Sequence, residues 1–195
     1  MFYGIRNENK EINNMKKIYK ENKNFLSKFN KDFLQNIILN NNFPFYLENK
    51  TTGEEEDNMW FSHKVLERLE KSKNLQKAIT SNENIYIQTL DILNNFCKSI
   101  DEKPNFFTRI NYNLSFNNGK EHSGWHIDHP FYHKQIIIYL NECDPDAKTC
   151  IMQESSKEII KVTPEKFKGI CFENLKHTAM HPKFKNRITL VATFI

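Results

Sequence analysis

The residues able to do chemistry gather in two stretches of the second half of this chain. The first stretch, HSGWHIDHPF, spans residues 122–131 and contains three of the seven histidines beside an aspartate. The second begins with His177, at the end of GICFENLKH, and reaches Arg187 ten residues later. A histidine-rich tract alone is usually solvated and without a fixed purpose. The two stretches together, however, form a pattern typical of a metal centre.

His126, Asp128 and His177 supply two imidazoles and one carboxylate, a set of ligands that binds Fe(II) on one face of an octahedron. Three positions on the metal then stay open, which is enough for a chelating 2-oxo acid and for O2. Residues i and i+2 of a strand point to the same side, so a strand can present His126 and Asp128 together. We therefore predict a strand at GWHID (124–128) and a metal bound by these three residues.

Arg187 carries a planar and permanently charged guanidinium, which can pair with both oxygens of a carboxylate. Thr189 lies two residues further along the predicted strand RITLVATFI (187–195), on the same face. Tyr139, in KQIIIYLN (134–141), shares a face with Gln135 and Ile137, and its phenol can donate to the same carboxylate. These side chains are expected to hold the far carboxylate of 2-oxoglutarate.

These pieces resemble the Fe(II)/2-oxoglutarate-dependent dioxygenases, in particular their prolyl-4-hydroxylase-like branch. The matching motifs are HID (126–128), IYLN (138–141), KVTPEKFKGICFENLKH (161–177) and RITLVATFI (187–195), within about residues 105–195. The resemblance implies Fe(II) on His126, Asp128 and His177. It also implies 2-oxoglutarate on Arg187 and Tyr139, with O2 as the oxidant. The strand RINYNLSF is similar to one that adds a cosubstrate contact, from either Asn113 or Tyr112.

The chain departs from that branch after the YLN strand, where many members carry Gly-Gly-x-Thr. Here the sequence reads DPDAKTC (144–150), which keeps Thr149 without the glycines. The departure concerns the turn and the substrate mouth and leaves the metal ligands intact.

The resemblance implies hydroxylation of a C–H bond, because position 128 is a carboxylate and not the small residue of related halogenating enzymes. A prolyl or other peptide residue, or a small amino-acid-like metabolite, is the expected substrate. Nucleic acid is not expected, since the net charge of +4 comes from mixed charges and position 193 is a threonine where demethylases often place a second arginine. The alternative is a cupin-like metal-binding protein, or a Zn or Ni enzyme that does not use 2-oxoglutarate.

The order of predicted helices and strands indicates a mainly β fold, a double-stranded β-helix (jelly roll) braced by N-terminal α-helices. Eight short β-rich runs follow Pro104: FFTRINYNLSF, GWHID, KQIIIYLN, TCIMQ, EIIKV, GICFE, HTAM and RITLVATFI. We expect one domain over 1–195, with helical support in 1–104 and the catalytic core in 105–195.

Helices are predicted in the first half from apolar residues at steps of three and four. The pattern covers the first 40 residues, most clearly Phe25 to Ile38, and recurs in SHKVLERLEK (62–71) and in residues 81–100 with an Asn or Ser cap. Residues 48–58 read as an exposed polar loop, and the sequence leaves open whether this loop is a lid.

The remaining polar residues and cysteines are expected to have structural or surface roles outside the site. Arg109 is expected to be a strand-face charge. Outside the ligand pair, the histidines are expected to be surface or hydrogen-bonding residues: His63, His122, His129, His133 and His181. The four cysteines show no CxxC spacing, so we expect core thiols in a reducing, cytoplasmic protein. No stretch approaches the roughly 18 apolar residues of a membrane span, and the oligomeric state is left open.

Overall fold

The computed structural model describes residues 18–48, 60–68 and 81–195. The elements in chain order are β1 (Tyr19–Asn22), α1 (Lys28–Phe33), a π-helical turn (Leu34–Ile38), β2 (Tyr46–Glu48), β3 (Trp60–Leu66), α2 (Glu83–Ser99), β4 (Phe107–Ser115), β5 (Lys134–Tyr139), β6 (Thr149–Met152), β7 (Ile159–Val162), β8 (Gly169–Glu173), β9 (His177–Ala179) and β10 (Arg187–Phe194). Among these residues, no helix combines the length and apolar character that crossing a membrane requires.

Two antiparallel sheets form the β part of the molecule. The larger has the order β1-β8-β5-β10-β4-β3-β2, and the smaller has the order β7-β6-β9. Ile137 of the larger sheet and Ile151 of the smaller one pack in the same buried cluster, so side chains of both sheets share one interior. This arrangement confirms the predicted mainly β, jelly-roll class.

The larger sheet is covered on both faces, and β10 at its centre shows how the sequence achieves this. Leu190, Ala192 and Phe194 pack into a buried cluster with residues of α2. The alternate residues Arg187 and Thr189 point to the interior shared with the smaller sheet, because side chains alternate along a strand. One face of β10 thus builds the core and the other is available for a site.

Helix α2 confirms the helix predicted over residues 81–100. The Asn82 side chain caps it by accepting a hydrogen bond from the backbone N–H of Ile85 at 2.9 Å. Its buried face carries Ile92, Leu93 and Phe96, which pack against the large sheet. Cys97 lies on the same face and Cys171 lies opposite on β8, both buried as free thiols, in line with the core role predicted for them.

Two predicted helices are wrong in whole or in part. Residues 62–66 of SHKVLERLEK belong to β3, which pairs with both β2 and β4, and residues 69–71 lie outside the described part of the chain. Sheet pairing on two sides outweighs the helical spacing of a few apolar residues. Among the described residues 18–40, helix is confined to α1 and the π-helical turn, while Tyr19–Asn22 forms an edge strand on β8.

The strand predicted at GWHID is also wrong, because His126 makes only an isolated bridge with His177. The predicted loop at 48–58 lies almost entirely outside the described residues, as do residues 1–17 of the N-terminal segment. That 1–195 forms one domain stays a prediction.

The contact between α2 and β8 gives a stability prediction at Gly169. A Cβ at this position would lie 2.4 Å from Cε2 of Phe96, inside the contact distance of real Cβ atoms. Gly169→Ala is therefore expected to lower the free energy of unfolding by about 1–3 kcal/mol through overpacking, measured by urea denaturation. The same change made in a Phe96→Leu background should cost clearly less. An equal cost in both backgrounds would show that this contact is not the cause.

Candidate metal centre and binding cavity

The fold brings His126, Asp128 and His177 together as the sequence predicted. One ligand atom from each lies within 4.8 Å of the others, and no other such group occurs among residues 18–48, 60–68 and 81–195. Reciprocal backbone hydrogen bonds between His126 and His177, of 3.0 and 2.9 Å, fix the two histidines side by side. Asp128 and His177 are buried, and His126 is half-buried.

Backbone carbonyls orient both imidazole rings. Nδ1 of His126 lies 2.8 Å from the carbonyl oxygen of Gly124, and Nδ1 of His177 lies 3.0 Å from that of Leu175. A carbonyl only accepts, so each Nδ1 carries the proton and donates, which leaves the Nε2 lone pairs for a metal. Burial lowers the pKa of His177 to about 4, with a smaller contribution in the same direction from the neighbouring His126. Its ring is therefore neutral at neutral pH. These two rings fit a divalent metal ion.

The Asp128 carboxylate is the third candidate ligand, and two arginines contact it. Its Oδ1 accepts hydrogen bonds from Nη1 of Arg109 at 2.7 Å and from Nη2 of Arg68 at 3.1 Å. Burial acts to raise the pKa of Asp128, but the charge of Arg109, the two histidines and Arg68 outweigh burial and hold it below its usual range. The carboxylate is therefore ionised, as a metal ligand must be. Its Oδ2 is buried and has no hydrogen-bond partner in the part of the chain that the structure describes.

The prediction that Arg109 is a strand-face charge is wrong. Its side chain points inward, is buried, and pairs with Asp128. The signal was present, because Arg109, Asn111 and Asn113 alternate along β4 and so share a face. Arg68 was not predicted for another reason: it lies within SHKVLERLEK (62–71), which was predicted to be a helix, and nothing local in the sequence connects it to Asp128.

A cavity of about 210 Å³ opens over the metal ligands. Arg187, Thr189 and Asn113 line this cavity together with the three metal ligands. Tyr139, Thr189 and Asn113 are direct cross-strand partners on β5, β10 and β4, so sheet register places them in one row. Tyr112 instead lies on the opposite face of β4, where its hydroxyl is 2.7 Å from Oγ1 of Thr89 in the hydrophobic core.

Arg187 has unused hydrogen-bonding capacity inside this cavity. It is 5% exposed, and its Nη2 donates to Oγ1 of Thr149 at 3.3 Å. Within the described residues its Nε and Nη1 have no partner. A buried cation with unmade hydrogen bonds is costly, and an anionic ligand removes that cost. The guanidinium is thus placed to receive a carboxylate.

Tyr139 and Thr149 surround the Arg187 guanidinium. The Tyr139 ring lies 5.6 Å from Cζ of Arg187, and its hydroxyl donates to Oγ1 of Thr149 at 2.8 Å. Burial, opposed by the charge of Arg187, raises the pKa of Tyr139 to about 12, so the phenol keeps its proton. Thr149, which the sequence keeps without the preceding glycines, therefore contacts both predicted anchor residues.

The remaining histidines divide into two groups. His63, His129 and His133 are buried and hydrogen-bonded, with Nδ1 of His63 lying 2.9 Å from the carbonyl oxygen of Pro44 and Nε2 of His129 lying 2.8 Å from Oγ1 of Thr193. His181 instead lines the cavity, with Nε2 3.5 Å from Nδ2 of Asn118 and a buried Nδ1 that has no partner within the residues described. His122 is half-buried, and its Nδ1 lies 2.6 Å from the Ser123 carbonyl oxygen. No local pattern in the sequence predicted that His181 would line the cavity.

Comparison with solved structures identifies the fold. The chain is similar to a prolyl hydroxylase from Trichoplax adhaerens in complex with a hypoxia inducible factor oxygen degradation domain peptide fragment (TM-score 0.61, 12% identity, 91% of this chain and 83% of that chain). It is similar to the non-haem alpha-ketoglutarate-dependent carbocyclase SnoK from nogalamycin biosynthesis (TM-score 0.60, 9% identity, 91% and 79%). A 2OG-Fe(II) oxygenase family oxidoreductase from Burkholderia pseudomallei gives a TM-score of 0.59 at 13% identity (77% and 72%).

At these identities the likeness is one of fold. The chain has the fold of the 2OG-Fe(II) oxygenases, including the prolyl hydroxylases, as the sequence motifs predicted. No known protein-family profile and no curated protein matches the sequence.

Proposed function

We propose that this protein is an Fe(II)- and 2-oxoglutarate-dependent oxygenase that hydroxylates a C–H bond. In that reaction O2 supplies one oxygen atom to the substrate and one to succinate, while 2-oxoglutarate loses its carboxyl group as CO2. When bound, Fe(II) supplies the activation of O2 that this chemistry needs. The protein's own residues bind the metal, orient 2-oxoglutarate and shape the cavity.

One observation carries the proposal: the metal ligands and an incompletely hydrogen-bonded buried arginine line the same cavity. The Nε2 atoms of His126 and His177, with the Asp128 carboxylate, would hold the metal on one side and leave three positions open. Arg187 would then pair with the far carboxylate of 2-oxoglutarate in a bidentate manner.

Further side chains support the cosubstrate end of the cavity. Thr189 and Asn113 lie beside Arg187 on the cavity wall, and the Asn113 Oδ1 has no partner among the described residues. Tyr139 is the cross-strand partner of Thr189 on β5. Its hydroxyl donates to Thr149, so Tyr139 supports 2-oxoglutarate binding indirectly, by orienting Thr149. Of the two β4 residues left open by the sequence, Asn113 is the one that we propose contacts 2-oxoglutarate.

The proposed substrate is a prolyl or other peptide residue, or a small amino-acid-like metabolite. The prolyl hydroxylase with the same fold is bound to a peptide fragment, which supports the first choice. The carbocyclase from nogalamycin biosynthesis shares the fold as well, which supports a small metabolite as the other choice. A cytoplasmic location belongs to the proposal and is consistent with four free cysteines.

A cupin-like metal-binding protein or a Zn or Ni enzyme is the alternative function. Such a protein can use the same two histidines and aspartate. It has no need, however, for a buried guanidinium in the same cavity with two nitrogens that lack partners among the described residues. The Arg187 geometry therefore favours the oxygenase.

Succinate production tests the proposed function. The protein should release succinate from 2-oxoglutarate only with Fe(II) and O2, and faster with its proper substrate than without one. Prolyl peptides, free amino acids and nucleosides form the panel, with prolyl peptides tested first. Failure of Fe(II) to support any succinate release, with or without the panel, would contradict the proposal.

Tyr139→Phe is expected to weaken 2-oxoglutarate binding moderately. The change removes the hydroxyl that orients Thr149, whose own oxygen accepts from Arg187. One neutral hydrogen bond contributes about 0.5–1.5 kcal/mol, so KM for 2-oxoglutarate should rise about 2- to 12-fold. Steady-state kinetics with varied 2-oxoglutarate measure this effect. Fe(II) affinity should not change, and an altered Fe(II) affinity with unchanged KM would contradict the role assigned to Tyr139.

A further inference from the structure

Arg109 and Arg187 are both buried arginines of the same cavity, but their hydrogen bonding differs. Arg109 uses Nη1 on Asp128 at 2.7 Å, and its Nη2 and Nε donate to the Asn111 amide oxygen at 3.1 and 3.2 Å in the amide orientation that satisfies both groups. Arg187 leaves two nitrogens without a partner among the residues described. Arg187 is thus prepared for a ligand, whereas Arg109 is fully engaged with the protein.

Arg68 contacts Asp128 from a different element. Its Nη2 donates to Oδ1 at 3.1 Å, and its Nη1 donates to the backbone carbonyl of the same residue. The side chain is 11% exposed, so these contacts lie in a largely dry environment where they are stronger than at the surface. Asp128 is therefore held at both its main chain and its carboxylate.

The position of Asp128 explains why such contacts are needed. Asp128 does not lie in a regular strand, since only His126 of the GWHID segment makes a β-bridge. Sheet geometry therefore does not fix the direction of its carboxylate. Both lone pairs of Oδ1 are used by the two guanidiniums, while Oδ2 is buried and has no partner in the described part.

We propose that Arg109 and Arg68 are positioning residues that hold the Asp128 carboxylate for the metal. The inference rests on the proposed function, because it assumes a metal on His126, Asp128 and His177. Asn111 takes part indirectly by fixing the Arg109 guanidinium.

The two arginines affect metal binding in opposite ways, and their orienting effect is the larger. Their positive charges repel a divalent cation, so repulsion alone would make their removal strengthen metal binding. Partners that orient a ligand are typically worth 10- to 100-fold in metal affinity. Since Asp128 lacks a strand to orient it, orientation dominates, and removing either arginine weakens metal binding.

Anaerobic Co(II) titration of the metal-free protein tests this inference, with visible absorption as the readout. Arg109→Met and Arg68→Met should each weaken Co(II) binding about 10- to 100-fold and change the Co(II) absorption bands. Arg109→Lys keeps a donor to Oδ1 and should recover part of the affinity and the wild-type bands. Lys64→Met removes another positive charge of the cavity wall, one that pairs with Glu48, and should leave the affinity within about twofold of wild type.

The outcomes separate the inference from the proposed function. Unchanged or tighter Co(II) binding in Arg68→Met and Arg109→Met would overturn the positioning role while the metal site stands. If Arg109→Met does not fold, Arg68→Met decides the question. Failure of the wild-type protein to bind Co(II) would overturn both the metal site and this inference.

Discussion

His177→Ala is expected to abolish Fe(II) binding and, with it, succinate production. His177 is one of the three proposed ligands, and its ring is neutral and oriented by the Leu175 carbonyl. Loss of a ligand should cost more than loss of an outer hydrogen-bond partner, so we expect affinity to fall by at least about 100-fold. Equilibrium dialysis against Fe(II) under anaerobic conditions measures the effect.

His122→Ala is the matched control for this change. His122 belongs to the same histidine-rich tract, but it is not part of the ligand group and its Nδ1 lies 2.6 Å from the Ser123 carbonyl oxygen. Its replacement should leave Fe(II) affinity unchanged. Retained Fe(II)-dependent turnover in His177→Ala would show that the ligand assignment is wrong and would direct the search to His181, which lines the same cavity.

Arg187→Met is expected to weaken 2-oxoglutarate binding about 10- to 150-fold. A charge-assisted hydrogen bond contributes about 1.5–3 kcal/mol, which corresponds to that range of affinities. Calorimetric titration of 2-oxoglutarate into the Fe(II)- or Co(II)-loaded protein without O2 gives the dissociation constant. Lys185→Ala serves as the control because it removes an exposed positive charge two residues away.

Arg187→Met is also expected to affect the free energy of unfolding. Met fills much of the volume of Arg and removes a buried cation whose Nε and Nη1 have no partner in the described residues. The ligand-free variant should therefore unfold with a free energy equal to or above that of the wild type. Unchanged 2-oxoglutarate affinity together with a large loss of stability would mean that Arg187 has a structural role and not a binding one.

The sequence predicted the fold class and the grouping of ligands because both depend on local patterns. His126, Asp128 and His177 are recognisable by residue type and spacing, and the row of Tyr139 and Thr189 follows from strand alternation. The prediction that a strand at GWHID presents His126 and Asp128 together is nevertheless wrong, because this segment is not a strand. The Gly124 carbonyl contacts the His126 ring instead, and two arginines contact the Asp128 carboxylate.

Long-range contacts account for what the sequence could not predict. Arg68 meets Asp128 only because β3 pairs with β4, a pairing that helical spacing in SHKVLERLEK concealed. The choice between Asn113 and Tyr112 likewise depends on which face of β4 lines the cavity. Adjacent residues of a strand face opposite sides, and both faces of β4 are buried, so the sequence alone does not distinguish them. Only the position of α2 shows that Tyr112 belongs to the core.

The most direct test of the account is whether one cavity binds the metal and 2-oxoglutarate together. Fe(II) and 2-oxoglutarate, added without O2, should give a weak visible absorption band in the wild-type protein that needs both components. The band should saturate at one equivalent of each, since a 2-oxo acid chelated to Fe(II) produces it and a diacid held by Arg187 alone does not. Absence of the band, with Fe(II) bound to the protein, would contradict the account and favour a metal site that does not use 2-oxoglutarate.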